Sequence, residues 1–310
     1  MSRTKKILAI DGGGFRGAYS AYTLKRMEEE YAINWIETFD LIAGTSTGAI
    51  IAAGLASGSS AKEMFNFYEE YGSQIFKKRW FYRTGLFASR YKNKKLQQKI
   101  KNIFGDKKLG EIQIPLIIPA TDIGNGCVHV FKSSYHGDFV RDKNILIADA
   151  VLASCGAPTY FDPYKVEEYI LADGGLWANN PSLVAVIDAK RRLAIDLNKV
   201  KVFSLGSGSS LKSYSQKDYW WKNLFGWGIL TRWGRAKFID MLMNLQTQTA
   251  NNMLGLLLQP EQILRINFGS DRDLSLDDPK KLKDWITKAG HDFTHNSTQI
   301  CNFLDINKNF

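Results

Sequence analysis

Twice in its first 57 residues the chain passes from a short apolar run through a cluster of glycines into a segment of helical spacing, and this repeated strand–turn–helix grammar narrows the fold more than any other feature. In the first unit Ile7 to Ile10 reads as a buried strand, Asp11 to Gly14 as the glycine cluster, and Ala18, Ala21, Tyr22, Leu24 and Met27 recur on one helix face. In the second, Phe39 to Ala43 reads as the strand, Gly44 to Gly48 as a tight turn and Ala49 to Ser57 as a helix of small residues. Further apolar runs at 114–118, 128–131, 169–172, 200–205 and 263–268 supply strands, and helical patterns at 145–154 and 181–195 fall between several of them. Such alternation predicts an α/β fold, a three-layer α/β/α sandwich around a mainly parallel central sheet. No linker or shift of composition divides the 310 residues, so a single domain is expected, with a motif-bearing core over about 5–208 and an elaboration over about 209–310.

The second glycine turn has chemistry of its own. Gly44-Thr45-Ser46-Thr47-Gly48 has the form Gly-x-Ser-x-Gly, in which a serine stands on a turn too sharp for β-carbons on its neighbours. Composition alone yields such a match with a chance of about 3 × 10⁻⁴ per position, so its place between an apolar strand and a small-residue helix carries the argument. The first turn, Asp11-Gly12-Gly13-Gly14-Phe15-Arg16-Gly17, gathers backbone N–H groups at the start of a helix, where an oxyanion would be held. Gly12, Gly14 and Gly17 also satisfy the dinucleotide pattern Gly-x-Gly-x-x-Gly, which leaves a dinucleotide-binding oxidoreductase as an alternative. Against it, Glu37 precedes the second strand and Asp40 stands at its beginning, whereas the ribose-gripping acid belongs at that strand's end. Asp173-Gly174-Gly175 follows the run Tyr169 to Ala172 and sets a carboxylate at a strand's carboxyl end, a base for a serine.

Taken in order, these three blocks resemble the patatin-like phospholipases, as does a fourth, Ala153-Ser154-Cys155-Gly156-Ala157-Pro158-Thr159-Tyr160-Phe161-Asp162-Pro163. The resemblance covers about Lys5 to Gly208. It implies a serine lipid acyl hydrolase of the phospholipase A type that needs no cofactor and no metal. Ser46 would be nucleophile, Asp173 its base, and Gly12, Gly13 and Gly14 the oxyanion hole, with Arg16 placing that loop or touching lipid phosphate. His129, His136, His291 and His295 fit no family block. A Ser-His-Asp triad through His291 or His295 is the competing arrangement.

Charge points to the partner. The net +10 of the chain is concentrated between Lys77 and Lys108, where twelve lysines and arginines face the single acid Asp106 and alternate with Phe76, Trp80, Phe81, Tyr82, Phe87 and Tyr91. That mixture suits an anionic membrane surface or a nucleotide; the plainer reading is a solvated helix face over 94–104, with Leu96, Ile100, Ile103 and Phe104 beneath it. The four tryptophans Trp220, Trp221, Trp227 and Trp233 lie in a segment the sequence leaves unassigned. Only four apolar residues in sequence, Ile7 to Ile10, occupy the basic N-terminus, too few for a signal-peptide core, and no run reaches the length of a membrane span. Cys127, Cys155 and Cys301 form no metal-binding spacing and suit a reducing compartment. The expected setting is therefore cytoplasmic and peripheral to the inner membrane face, with membrane phospholipid as substrate. The resemblance extends to bacterial effectors of anti-phage defence, which implies a cyclic dinucleotide or oligonucleotide as activator. A homo-oligomer is left open and no DNA partner is expected. The remaining alternative is a module that binds lipid or nucleotide without catalysis.

Overall fold

The computed structural model describes residues 3–76, 89–210, 233, 235–270, 274 and 276–306. The first part of the basic segment, 77–88, and Trp220, Trp221 and Trp227 lie outside the described residues.

The strands are β1 (Lys5–Ile10), β2 (Leu41–Gly44), β3 (Leu116–Asp122), β4 (Cys127–Lys132), β5 (Tyr164–Val166), β6 (Tyr169–Asp173), β7 (Val200–Leu205), β8 (Ser209–Ser210), β9 (Ile263–Ile266) and β10 (Gly269–Ser270). The helices are α1 (Gly17–Tyr31), α2 (Trp35–Thr38), α3 (Thr47–Ala56), α4 (Ala61–Ile75), α5 (Asn93–Phe104), α6 (Ile147–Ser154), α7 (Gly175–Ala178), α8 (Ser182–Arg192), α9 (Arg235–Leu257) and α10 (Leu282–Leu304). Eight strands make one sheet in the order β5-β6-β3-β2-β1-β7-β9, with β4 also on β3; β8 and β10 pair separately.

Five strands, β9-β7-β1-β2-β3, run parallel, while β4 and β6 are antiparallel to β3 and β5 to β6. The antiparallel wing sets the site. Along β3, β4 occupies one edge, and the other is shared: β2 pairs with Leu116 and Ile117, β6 with Ala120 to Asp122. Because β2 runs with β3 and β6 against it, the carboxyl ends of β2 and β6 converge midway along that edge. The chain leaving β2 reaches Ser46 two residues later, and β6 ends on Asp173.

Period-two alternation explains the layers. Leu8, Ile10, Ile42, Leu116 and Ile118 point to a core built with α1, α3, α4, α6 and α10, whereas Ile7, Leu41, Ala43, Ile117 and Val202 point to a second core with α8 and the end of α9. Helix α3, between sheet and other helices, is buried at every position, which accounts for its run of small residues. A capping box starts α4, Ser60 accepting from the Glu63 N–H while Glu63 accepts in return. In α5 the buried stripe is Leu96, Ile100 and Phe104, and Lys94, Lys95 and Lys101 are exposed, so this part of the basic segment is a solvated helix face, whereas Arg90 before it pairs with the buried Asp277.

Candidate active site

The turn from β2 into α3 holds Ser46 at φ 55°, ψ −126°, a left-handed backbone that a residue with a β-carbon adopts only when its surroundings impose it. The flanking glycines make the turn passable. A β-carbon on Gly44 would lie 2.2 Å from the Gly48 carbonyl oxygen, and one on Gly48 would lie 2.4 Å from that of Ile10. Three hydrogen bonds fix the elbow. Ser46 N–H donates to Ser154 Oγ at 2.8 Å, that hydroxyl donates to the Pro119 carbonyl at 2.6 Å, and Thr45 Oγ1 donates to Ala178 O at 2.6 Å. Ser154 lies in the fourth sequence block, at the end of α6, and ties the elbow to the middle of β3.

Ser46 Oγ donates to Asp173 Oδ2 at 2.6 Å. Gly175 N–H holds the other carboxylate oxygen at 2.7 Å, and Thr121 Oγ1 donates to the Asp173 carbonyl. Ser46 is 5% exposed and Asp173 3%, so bulk water is largely excluded from both. That burial pushes the Asp173 carboxyl up from 3.8 to about 6, against the hydrogen bonds from Ser46 and Gly175 that favour its ionised form. A carboxylate in that range is matched to taking and returning a proton near neutral pH.

The glycine loop lies against the serine. A β-carbon on Gly12 would stand 3.1 Å from Ser46 Cβ. Gly12 N–H, however, donates to the Asn179 carbonyl at 3.0 Å, and Phe15 N–H to Leu276 O at 2.8 Å. The amides of Gly13 and Gly14 meet no acceptor among the described residues, and Gly14 lines the cavity beside Ser46. Gly14 has φ +58°, and Leu276 O sits where its β-carbon would be, so the loop is clamped from the C-terminal part of the chain. Arg16 is 1% exposed; it pairs with Asp240 of α9 at 3.1 Å and donates to Leu274 O at 3.1 Å. It holds the loop and does not face solvent. Asp11 is gripped through both oxygens by Arg265 of β9, at 2.6 and 3.2 Å, and Arg265 also donates to Ser204 Oγ.

An apolar cavity adjoins the dyad, lined by Ile50, Phe67, Ile75, Leu96 and Phe161 along with Ser46 and Asp173. Met243 of α9 and Leu276 close it from the C-terminal side. The space suits an aliphatic chain, since its walls offer hydrocarbon and rings. Among the described residues no cluster of three or more His, Cys, Asp or Glu side chains is placed to hold a metal.

No histidine hydrogen-bonds to Ser46 among the described residues. His291 and His295 stack on one another along α10, with His291 beside Asp292. His129 is buried between Phe131 and Tyr169, and burial lowers its pKa to about 4; His136 accepts from the Asp138 N–H. Sequence reasoning missed Asn179, Arg265 and the anchoring role of Ser154. Only Ser154 carried a signal, its place within the fourth block.

A family model described as patatin-like phospholipase matches residues 8–186. A cGAMP-activated phospholipase of Escherichia coli (strain TW11681) is 32% identical over 264 residues, covering 80% of this chain and 73% of its own. A protein of the same description from Vibrio cholerae serotype O1 is 32% identical over 257 residues, covering 75% and 71%. A cUMP-AMP-activated phospholipase of Escherichia coli is 28% identical over 278 residues, covering 86% and 82%.

Proposed function

The chain belongs to the patatin-like phospholipase family, and we propose that it hydrolyses acyl esters of membrane phospholipids through a Ser46–Asp173 dyad. The observation that carries this reading is the 2.6 Å hydrogen bond between the two side chains, beside an apolar cavity that Gly14 also lines. Ser46 Oγ attacks the ester carbonyl carbon as its proton passes to Asp173. The negative charge that develops on the carbonyl oxygen is met by the N–H groups of Gly13 and Gly14, each such donor contributing about 2.7–4 kcal/mol. Collapse of the tetrahedral species breaks the ester C–O bond, and the lysophospholipid alkoxide leaves with the proton held by Asp173. Water then attacks the acyl-enzyme, Asp173 taking its proton, and Ser46 recovers that proton as the fatty acid departs.

Arg16 and Arg265 act on this site through the loop that they fasten. The basic face of α5 supports approach to an anionic lipid surface. No described helix is long and apolar enough to cross a membrane. The basic face of α5 favours peripheral action, on the inner face of the cytoplasmic membrane. The activated relatives support control by a cyclic nucleotide. Purified protein incubated with mixed phospholipid vesicles and a panel of cyclic nucleotides tests both parts. The expected result is fatty acid release that one nucleotide raises and Ser46→Ala removes. Release that survives Ser46→Ala would overturn the assignment.

A further inference from the structure

Two helix N-termini meet beside the nucleophile. Helix α3 begins at Thr47, the residue after Ser46, and α1 begins at Gly17, just beyond the glycine loop. A β-carbon on Gly17 would lie 3.1 Å from Thr47 Oγ1 and 2.4 Å from the Tyr68 hydroxyl, so the two starts lie in contact. Tyr68 in turn donates to the Thr47 carbonyl at 3.2 Å. In the first turn of α3, Gly48 N–H donates to Thr45 O and Ala49 N–H to Ser46 O, each at 2.8 Å, whereas the Thr47 N–H meets no acceptor among the described residues.

Thr47 is 9% exposed and lines the apolar cavity with Ser46, Gly14 and Asp173, yet its hydroxyl has no hydrogen-bond partner among the described residues. A buried hydroxyl without a partner costs stability, and valine has the same shape without that cost. Packing alone would therefore favour valine at this position. The hydroxyl is accounted for by a group that arrives with the substrate, and its place says which group. Because Cα–Cβ bonds lean toward the N-terminus of a helix, the Thr47 side chain leans toward the elbow. The positive ends of two helix dipoles, an N–H without an acceptor and a hydroxyl free to donate all favour negative charge at that point. In acyl transfer such charge develops on the carbonyl oxygen, bonded to the carbon that Ser46 Oγ attacks.

We propose that Thr47 is a further catalytic residue, whose hydroxyl and N–H donate to the ester carbonyl oxygen as Ser46 Oγ adds to the carbonyl carbon. The start of α3 then completes an oxyanion hole whose other wall is the backbone of Gly13 and Gly14. Thr47 gives hydrogen bonds and transfers no proton, so Asp173 keeps its role as base. The proposal rests on the acyl hydrolase reading above.

Thr47→Val and Thr47→Ser, each in the full chain, test this by the rate at which a fluorophosphonate modifies Ser46 and by kcat and KM on a short soluble ester. The phosphonyl oxygen gathers charge as the ester carbonyl does, so both reactions call on the same donors. Valine should slow labelling and kcat by about 10²-fold or more and leave KM nearly unchanged, since the lost contact forms only in the transition state. Serine keeps the hydroxyl and should retain most of the rate. Valine should also melt no lower than the parent, because the hydroxyl it removes has no partner in the fold. Parent-like labelling in Thr47→Val would overturn the proposal and leave the Ser46–Asp173 dyad standing. Equal losses in both variants would overturn it too, by tracing the effect to the missing methyl group. So would a change in KM alone, which would place the hydroxyl on the bound substrate, or a valine variant melting several degrees below the parent, which would reveal a partner within the fold. A parent in which Ser46 is not labelled would sink the hydrolase reading and this proposal with it.

Discussion

Replacing Asp173 with asparagine should make the protein more stable while removing its activity. Burial raises the carboxyl from 3.8 to about 6, so the folded protein keeps a proton that the unfolded chain has already released. Stability contributed by this group is therefore fully present below pH 3.8 and is lost as pH rises through about 6. At about 1.36 kcal/mol per unit, the ionised carboxylate costs roughly 3 kcal/mol at neutral pH. Asparagine has the same shape and no charge. Its Oδ1 can accept from Gly175 N–H and its Nδ2 can donate to Ser46 Oγ, so both present contacts of the side chain have a counterpart. With an unfolding entropy of about 2.1 cal/mol/K per residue over 310 residues, 3 kcal/mol corresponds to a rise in Tm of about 4–5 °C. Calorimetry at pH 7.5 and pH 4 is the assay, paired with turnover of a soluble ester, which should fall on the order of 10³-fold or more. A variant that melts at or below the parent at pH 7.5 would refute the electrostatic reasoning, as would a gain of equal size at both pH values.

Parent turnover should fall about tenfold per unit as pH drops below about 6, because only the ionised Asp173 accepts the Ser46 proton; a flat profile between pH 4 and 7 would count against that role. Gly13→Ala puts a β-carbon 2.1 Å from Ser207 Oγ and must displace the loop, so turnover should fall by about 10²-fold or more, with about 1–3 kcal/mol of stability lost to the overlap. Arg265→Met leaves Asp11 as a buried charge without its counterion and should cost about 3–5 kcal/mol of stability, read by denaturant unfolding.

The turns that carry the proposed site are legible in the sequence because their parts are local. A serine between glycines, and an aspartate before two glycines, announce turns whose geometry few other residues tolerate. The strands at 7–10, 200–205 and 263–266 were equally visible as apolar runs bounded by turns or polar residues. Pairing direction was not. Apolar runs of similar length look alike whether they pair in parallel or antiparallel, so the wing formed by β4, β5 and β6 could not be read, although it brings Ser46 and Asp173 together. Tyr164–Val166, three residues at the sheet edge, has too short an alternation to register as a strand. Sequence alone leaves Arg16 between loop and lipid phosphate because its counterion, Asp240, is far along the chain. The same distance hid Arg265 from Asp11.

Peptide mapping after treatment with a fluorophosphonate tests the central claim most directly, since the reagent bonds only to a serine whose proton has a base to receive it. The account predicts a single modified residue, Ser46, labelled quickly in the parent, far more slowly in Asp173→Asn, and at the parent's rate in His291→Ala and His295→Ala. Labelling of a different serine would contradict it, and so would a parent-like rate in Asp173→Asn together with loss in either histidine variant.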